Sequence, residues 1–163
     1  MPMTFLYPAF LLFASVSSLA MALLAQYGFG LLPCPLCIYQ RIPYVVTAVL
    51  SLIALLPAVP RRARLWLIGL SCVAFLVDGG IAVFHVGVEQ HWWAGLEACM
   101  GGGPQPQSVD QLRAMLSVAP KTPRCDEIPW SLFGISIAGF NVMYALGLAG
   151  CAAWATLRLK DQP

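Results

Sequence analysis

The chain has 163 residues, of which 60% are hydrophobic and only 10% are charged. Ordinary soluble domains carry about 25% charged residues, so this chain cannot cover its apolar surface with polar groups in water. The net charge of +2 is too small to indicate a nucleic-acid partner, and no basic run contains interleaved aromatic residues. Composition therefore indicates a lipid bilayer as the solvent and one domain over residues 1–163.

Four stretches are long and apolar enough to cross a bilayer, which takes about 20 residues for ~30 Å of hydrocarbon. In chain order, the expected spans are about 4–27, 42–59, 65–86 and 130–157. They predict an all-α membrane protein, a bundle of four transmembrane helices. Two polar loops, about 28–41 and 87–129, then lie on the same side of the membrane.

One competing interpretation concerns the first span. Ala20-Met21-Ala22 resembles a signal-peptidase site after an apolar run. No basic segment precedes that run, and it is longer than the apolar region of a typical signal peptide. We therefore expect the first span to be retained.

Basic residues predict which way the bundle faces. Arg61, Arg62 and Arg64 cluster between spans two and three, and Arg158 and Lys160 lie near the C-terminus. Positive charge of this kind marks the cytoplasmic side of a membrane, and it outweighs the scattered basic residues of the second loop. Both termini are expected in the cytoplasm and both polar loops in an oxidising compartment outside it.

The sequence of the second loop indicates one element of secondary structure. Residues 108–111, Ser-Val-Asp-Gln, fit a helix capping box, and Leu112, Met115 and Leu116 follow on one face. The pattern predicts a short amphipathic helix. Two interpretations of it stay open, a helix lying on the membrane surface and an ordinary loop helix.

The positions of the six cysteines divide them into two classes. Cys72 and Cys151 fall inside spans three and four, where a thiol stays protonated and unreactive, so both are expected to be packing residues. The remaining four lie in the outward loops, namely Cys34, Cys37, Cys99 and Cys125. Thiols in an oxidising compartment normally pair, so these four are the candidates for chemistry.

The first outward pair, Cys34 and Cys37, forms a C-x-x-C motif where the first loop meets the second span. This spacing lets two sulfurs meet in a small ring and commonly favours the thiolate form of one of them. Zinc sites and static disulfides use the same motif. Arg41 favours redox chemistry, because four residues after Cys37 it shares that residue's helical face and stabilises its thiolate. The alternative is that Arg41 only anchors the helix at the lipid headgroups.

Pro43 leaves the start of the second helix open. Proline suits the first turn of a helix and disrupts its interior. The helix therefore begins either near Ile42, with Cys37 in the loop, or earlier and with a kink.

The second outward pair, Cys99 and Cys125, allows two interpretations. It is either a static clip of the loop or a couple that exchanges disulfides with the first pair. A zinc site of four cysteines is disfavoured, since structural zinc takes two short-spaced pairs and this pair is widely split. No metal is expected. Haem is disfavoured because Ile38 follows the C-x-x-C motif, and flavin or nicotinamide because no G-x-G-x-x-G follows a strand.

The run Cys34-Pro-Leu-Cys37-Ile-Tyr-Gln-Arg41 after one apolar span, with Cys99 and Cys125 in a later outward loop, resembles the DsbB family of bacterial disulfide bond formation proteins. The resemblance covers essentially the whole chain. It implies a quinone-dependent, protein-disulfide-forming oxidoreductase of the bacterial inner membrane, with its redox loops in the periplasm. The implied cofactor is ubiquinone or menaquinone, and the implied partner is a soluble DsbA-like thiol oxidase.

The resemblance also implies individual roles. Cys99 would form a mixed disulfide with the DsbA-like partner, and Cys125 would then attack the first pair at Cys34. Cys37 would engage the quinone with the assistance of Arg41. The resting pairing stays open between Cys34–Cys37 with Cys99–Cys125 and a cross-loop Cys34–Cys125 bond.

Several residues lie outside this motif. Asp78 falls within the third span, where a charge costs about 2.5–3.5 kcal/mol on insertion scales. We expect it to face the bundle interior or the outer interface, paired or protonated, and a role in proton transfer or partner binding is the alternative. His85, near the outer end of that span, is either a candidate quinone contact or a helix-end histidine without a catalytic role. Trp92, Trp93 and Trp130 are expected to form an interfacial belt.

Two other functions compete with the one that the DsbB resemblance implies. A quinone-linked enzyme resembling vitamin K epoxide reductase would carry its C-x-x-C in a late span, after the loop cysteines, whereas here the motif follows the first span. A non-catalytic scaffold of four spans with static loop disulfides would have cysteines that are indifferent to quinone.

Overall fold

Four long helices pack side by side in the computed structural model, which describes residues 3–96, 99, 108–111, 113 and 123–160. The elements in chain order are α1 (Met3–Tyr27), α2 (Pro35–Ala54), α3 (Arg61–Glu89), β1 (Ser131–Leu132), β2 (Ile135–Ser136) and α4 (Ile137–Lys160). Each helix is long and apolar enough to cross a membrane. The predicted fold class, an all-α bundle of four membrane helices, is confirmed, and the chain is a multi-pass membrane protein.

Packing inside the bundle relies on small residues of α4. Its buried positions include Ala138, Ala145, Ala149, Ala152 and Ala155, and small side chains of this kind let membrane helices approach closely. Larger residues, among them Phe75 of α3, fill the space between the helices. Many large apolar side chains remain exposed on the outside of the bundle, where they contact lipid rather than water.

The second helix begins at Pro35 rather than near Ile42, so the expected span 42–59 is corrected. The cause is its N-terminal cap, in which the Cys34 sulfur accepts the backbone N–H of Cys37 at 3.4 Å. Proline at the first helical position costs nothing, because the N–H that it lacks would be unsatisfied there. Pro43 lies inside the helix, so Cys37 and Arg41 stand on one continuous helix.

The fourth helix also begins later than the expected Trp130. Residues 131–136 form a β-hairpin whose two turn residues, Phe133 and Gly134, have φ of 53° and 79°, as a type I′ turn requires. Ser136 then caps α4, because its Oγ accepts the backbone N–H of Gly139 at 3.1 Å. The third helix is longer than the expected 65–86 and ends at Glu89.

One residue of the arginine cluster is buried. Arg64 is only 6% exposed. Its guanidinium donates hydrogen bonds to the carbonyl oxygens of Ala54 at 2.7 Å, Val59 at 3.1 Å and Leu56 at 3.3 Å. These carbonyl groups belong to the last residue of α2 and to the segment that follows it, where backbone acceptors lack helical partners. Arg64 therefore ties the end of α2 to the start of α3, which composition alone does not reveal.

Asp78 is fully buried between the helices, as predicted. Asn141 of α4 donates its Nδ2–H to Asp78 Oδ2 at 3.1 Å, and Tyr44 of α2 donates its hydroxyl to Asn141 Oδ1 at 2.6 Å. Among the described residues, none hydrogen-bonds to Asp78 Oδ1. The three residues connect three helices across the middle of the bundle.

The capping box of the second loop is present at its described positions. Ser108 Oγ accepts the backbone N–H of Gln111 at 3.2 Å, and residues 109–111 and 113 are helical. The apolar face expected for this helix, Leu112, Met115 and Leu116, lies outside the described residues.

Candidate redox site

The four loop cysteines meet at one end of the bundle, where α2 begins and α3 ends; we call this the cysteine end. Cys99 and Cys125 form a disulfide, with their Cα atoms 5.1 Å apart. Cys34 is buried in the same apolar cluster as that disulfide, and Cys37 packs against the edge of the cluster. The structure thus brings together two sulfur couples that lie far apart in the chain.

The first couple is a free pair of thiols, with Cys34 Sγ and Cys37 Sγ 3.0 Å apart. Two thiolates of a tetrahedral zinc site, each about 2.3 Å from the metal, stay roughly 3.7 Å apart. The separation here is shorter than that, so the two sulfurs are in direct contact and either one can donate an S–H hydrogen to the other. The geometry favours disulfide chemistry over a metal site at this couple.

His85 reaches the first couple from α3. Its Nε2 lies 3.5 Å from Cys34 Sγ, and its Nδ1 lies 3.4 Å from Nε2 of Gln40 on α2. Both ring nitrogens therefore have polar neighbours, although His85 is only 4% exposed. The imidazole is held beside the sulfur in a fixed orientation.

These neighbours select Cys34 as the thiolate. The hydrogen bond from the Cys37 thiol lowers the pKa of Cys34 from 9.0 to about 4, and His85 adds a hydrogen bond and a favourable charge, against an opposing effect of burial. The sequence had instead suggested that Arg41 stabilises a thiolate on Cys37. In the structure the Arg41 guanidinium donates to Oε1 of Gln26 on α1 at 2.7 Å, whereas the side chain that contacts Cys34 from α3 is His85.

A buried carboxylate that the sequence did not single out completes the site. Glu89, one helical turn after His85, is 5% exposed, and its Oε1 lies 3.9 Å from His85 Nε2. The Ser136 hydroxyl donates a hydrogen bond to Glu89 Oε2. The spacing of four residues was the available signal, because it places both side chains on one face of a helix.

The second loop folds back onto α3 through an aromatic contact. The Trp93 ring stacks on Phe84, with centroids 5.8 Å apart, and its Nε1–H donates to the Phe84 carbonyl at 2.9 Å. A Cβ on Gly87 would lie 2.0 Å from the indole, so only glycine permits this approach. Trp93 therefore packs on α3 with one part of its ring exposed, and Trp92 and Trp130 are exposed too, at positions compatible with the expected belt.

An apolar groove of about 450 Å³ adjoins the first couple between α2 and α3. Its lining residues are Leu36, Tyr39, Val77, Gly80, Ile81, Phe84 and Leu96. Ile81 and Phe84 also pack against the cluster that contains Cys34, as Cys37 does. A Cβ on Gly80 would meet nothing within 4 Å, so the absent side chain leaves open space in the groove wall.

The two remaining cysteines lie elsewhere. Cys72 donates its S–H to the Ala149 carbonyl of α4 at 3.3 Å, and Cys151 is a free, partly buried thiol of α4. Neither belongs to the cysteine cluster, which agrees with the prediction that they are packing residues.

Comparison with known proteins gives one consistent result. The family described as "DsbB: Disulfide bond formation protein DsbB" matches residues 5–155. A "Disulfide bond formation protein B" of Xanthomonas axonopodis pv. citri is 32% identical over 152 residues, covering 90% of this chain and 87% of the relative. Another from Methylobacillus flagellatus is 32% identical over 137 residues, covering 83% and 82%. No solved structure gives a significant match.

Proposed function

The chain belongs to the DsbB family of disulfide bond formation proteins, and on this basis we propose that it reoxidises a soluble DsbA-like dithiol oxidase and passes the electrons to a membrane quinone. The observation that carries the proposal is the common cluster of the two sulfur couples. Disulfide exchange requires a thiolate to reach a disulfide sulfur, and this arrangement supplies both groups within one buried site.

Each couple has a distinct position in the proposed relay. The Cys99–Cys125 disulfide is the one that accepts electrons from the partner, with Cys99 forming the mixed disulfide. Cys125 then exchanges with Cys34, which lies in the same buried cluster. Cys37, at the edge of the cluster and partly exposed, is the sulfur that faces the electron acceptor.

Closure of the first couple follows from the geometry. The Cys34 thiolate lies 3.0 Å from Cys37 Sγ, so it forms the Cys34–Cys37 bond as two electrons leave the pair. A quinone accepts two electrons and two protons when it is reduced. One proton comes from the Cys37 thiol, and the second is available from His85 beside Cys34.

The groove between α2 and α3 fits the ring and first tail units of a quinone. It is apolar, shares Leu36, Ile81 and Phe84 with the surroundings of the cysteine cluster and has open space at Gly80. Flat aromatic walls such as Tyr39 and Phe84 suit a planar ring. Arg41 points instead to Gln26 on α1, so its part in quinone binding stays a prediction, as does a direct contact from His85.

The proposed location is the inner membrane of a bacterium, with the cysteine end in the periplasm. Arg61, Arg62 and Arg158 lie at the opposite end, and positive charge is retained on the cytoplasmic side. The first residue of α1 and the last residue of α4 lie at that end as well. An oxidising periplasm is also the compartment in which the Cys99–Cys125 disulfide persists.

The proposal is tested by following quinone reduction when the purified protein receives a reduced thioredoxin-like dithiol protein. We expect turnover in the native protein and its loss in Cys34→Ser, Cys37→Ser, Cys99→Ser and Cys125→Ser. Cys72→Ser is the matched control, because that thiol only hydrogen-bonds to a backbone carbonyl. Full activity of Cys37→Ser would contradict the assignment of the quinone-facing sulfur.

A second variant tests the role of the groove independently of the cysteines. Gly80→Leu places a side chain in the open space of the groove wall, so we expect a raised KM for a short-chain quinone and unchanged disulfide exchange with the partner. A scaffold with static disulfides would consume no quinone in any of these assays.

A further inference from the structure

Glu89 is a buried acid that has no role in the proposed relay. It is 5% exposed at the last residue of α3, beside the redox couple. A buried carboxylate is costly unless hydrogen bonds and a nearby opposite charge compensate for the lost water. Both kinds of neighbour are present, and they connect Glu89 to the chemistry.

The Ser136 hydroxyl holds the carboxylate in place. Ser136 Oγ accepts the Gly139 backbone N–H at the start of α4, which leaves the hydroxyl hydrogen free to be donated to Glu89 Oε2. The same serine thus caps one helix and fixes the last side chain of another. This anchoring sets Oε1 on the His85 side.

His85 lies between the carboxylate and the thiolate. Its Nε2 is 3.9 Å from Glu89 Oε1 and 3.5 Å from Cys34 Sγ. Gln40 faces Nδ1 at 3.4 Å, and its amide can present a donor to the neutral ring or, after a half-turn, an acceptor to the charged ring. The surroundings of His85 therefore accommodate an imidazolium.

We propose that Glu89 is a positioning residue that, held by Ser136, keeps His85 protonated beside the Cys34 thiolate. The proton moves from Cys34 Sγ to His85 Nε2, no electrons move, and the Glu89 carboxylate keeps its own charge throughout. In the dithiol state this proton therefore remains on His85 Nε2, next to the Cys34 sulfur that forms the disulfide. This inference deepens the proposed function and rests on it for its purpose.

The charged and titratable groups that face His85 come from two helices. Cys34 and Cys37 approach from the start of α2, and Glu89 approaches from the turn after His85 itself. The start of α4 contributes the neutral Ser136, and the loop contributes the Cys99–Cys125 disulfide, which does not titrate. Among these groups, Glu89 is the carboxylate beside the imidazole.

The test uses the full-length, reduced, quinone-free protein in lipid nanodiscs, labelled with ¹⁵N-histidine. The sequence contains only two histidines, so His91→Asn assigns the ring signals without touching the site. At pH 7 we expect the imidazolium-to-imidazole ratio of His85 to fall about tenfold in Glu89→Gln, equivalent to one pH unit. Glu127→Gln removes an exposed acid at the same end and should leave the ratio unchanged.

Two further variants distinguish charge from shape. Glu89→Asp keeps the carboxylate and should retain most of the imidazolium, whereas Ser136→Ala releases the carboxylate and should lower the ratio at least about twofold. An unchanged ratio in Glu89→Gln, or in Ser136→Ala where Glu89→Gln does not fold, would overturn the proposal. Equal losses in Glu89→Asp and Glu89→Gln would overturn it too. Because no quinone or partner is present, these outcomes are independent of the turnover assay.

Discussion

His85 Nε2 lies 3.5 Å from Cys34 Sγ, although 51 residues separate the two in the chain. The contact brings an imidazole from the outer end of α3 to the residue that caps α2. It also breaks the symmetry of the C-x-x-C pair, because a cationic neighbour on one side favours a thiolate on that side. The hydrogen bond from Cys37 within the motif contributes most to the lowered pKa of Cys34, and this tertiary contact adds to it.

The first prediction concerns the pH dependence of Cys34. Its pKa is lowered from 9.0 to about 4, so its thiolate persists at neutral pH and is lost only as the pH falls through about 4. The thiolate's contribution to the stability of the folded dithiol form is complete above pH 9 and absent below pH 4. Alkylation of Cys34 by iodoacetamide, followed by fragmentation mass spectrometry, should be nearly independent of pH between about 6 and 8.

Removal of His85 should change that profile. His85→Asn loses the hydrogen bond and charge that favour the thiolate, so the pKa of Cys34 should rise and the pH at which alkylation falls off should move upward by about one unit. Arg41→Gln serves as the comparison, because its guanidinium bonds to Gln26 and the profile should barely move. A larger effect from Arg41→Gln than from His85→Asn would restore the role that the sequence suggested for the arginine.

The second prediction concerns the buried network of Asp78. Asp78→Asn keeps the shape and an oxygen that accepts from Asn141, so the free energy of unfolding should change by less than about 1 kcal/mol. Asp78→Leu leaves the Asn141 amide without that acceptor and should cost about 1–2 kcal/mol. Detergent-induced unfolding followed by circular dichroism measures both. Equal stabilities of the Leu and Asn variants would mean that the hydrogen bond contributes nothing.

The third prediction concerns Arg64 at the opposite end of the bundle. Arg64→Ala removes a buried guanidinium that donates to three carbonyl groups, so unfolding should become easier by about 2–3 kcal/mol. Arg64→Lys should lose less, since an ammonium cannot reproduce the planar set of donors but retains a charge.

Arg62→Ala provides the control for that comparison. Arg62 is exposed and belongs to the same short cluster, so its replacement should change the free energy of unfolding by less than about 0.5 kcal/mol. Similar losses in the Arg62 and Arg64 variants would indicate that net charge, rather than the cap, stabilises this turn.

Local properties of the chain were sufficient to predict the bundle and to single out the four cysteines that the structure brings together. Hydropathy over about 20 residues identifies a membrane helix because each span must satisfy its own backbone hydrogen bonds in lipid. The four loop cysteines were recognised because spacing and topology set them apart from Cys72 and Cys151. The interior position of Asp78 followed from the cost of a charge in hydrocarbon.

Helix boundaries needed information that hydropathy does not carry. The start of α2 depends on Cys34 as a cap and Pro35 as the first helical residue, and neither raises the apolar content of the segment. The start of α4 depends on a hairpin whose Phe133 adopts a positive φ, a conformation that sequence patterns assign to glycine or asparagine.

The arrangement around the sulfurs was decided by tertiary structure alone. Linear spacing relates only residues on one helix, so it paired Cys37 with Arg41 and contained no information on how α3 is rotated against α2. Packing of those two helices places His85 beside Cys34 and directs Arg41 to α1. Glu89 is held by Ser136, the β2 residue that caps α4. These two residues are 47 positions apart, so no local sequence pattern could predict the contact.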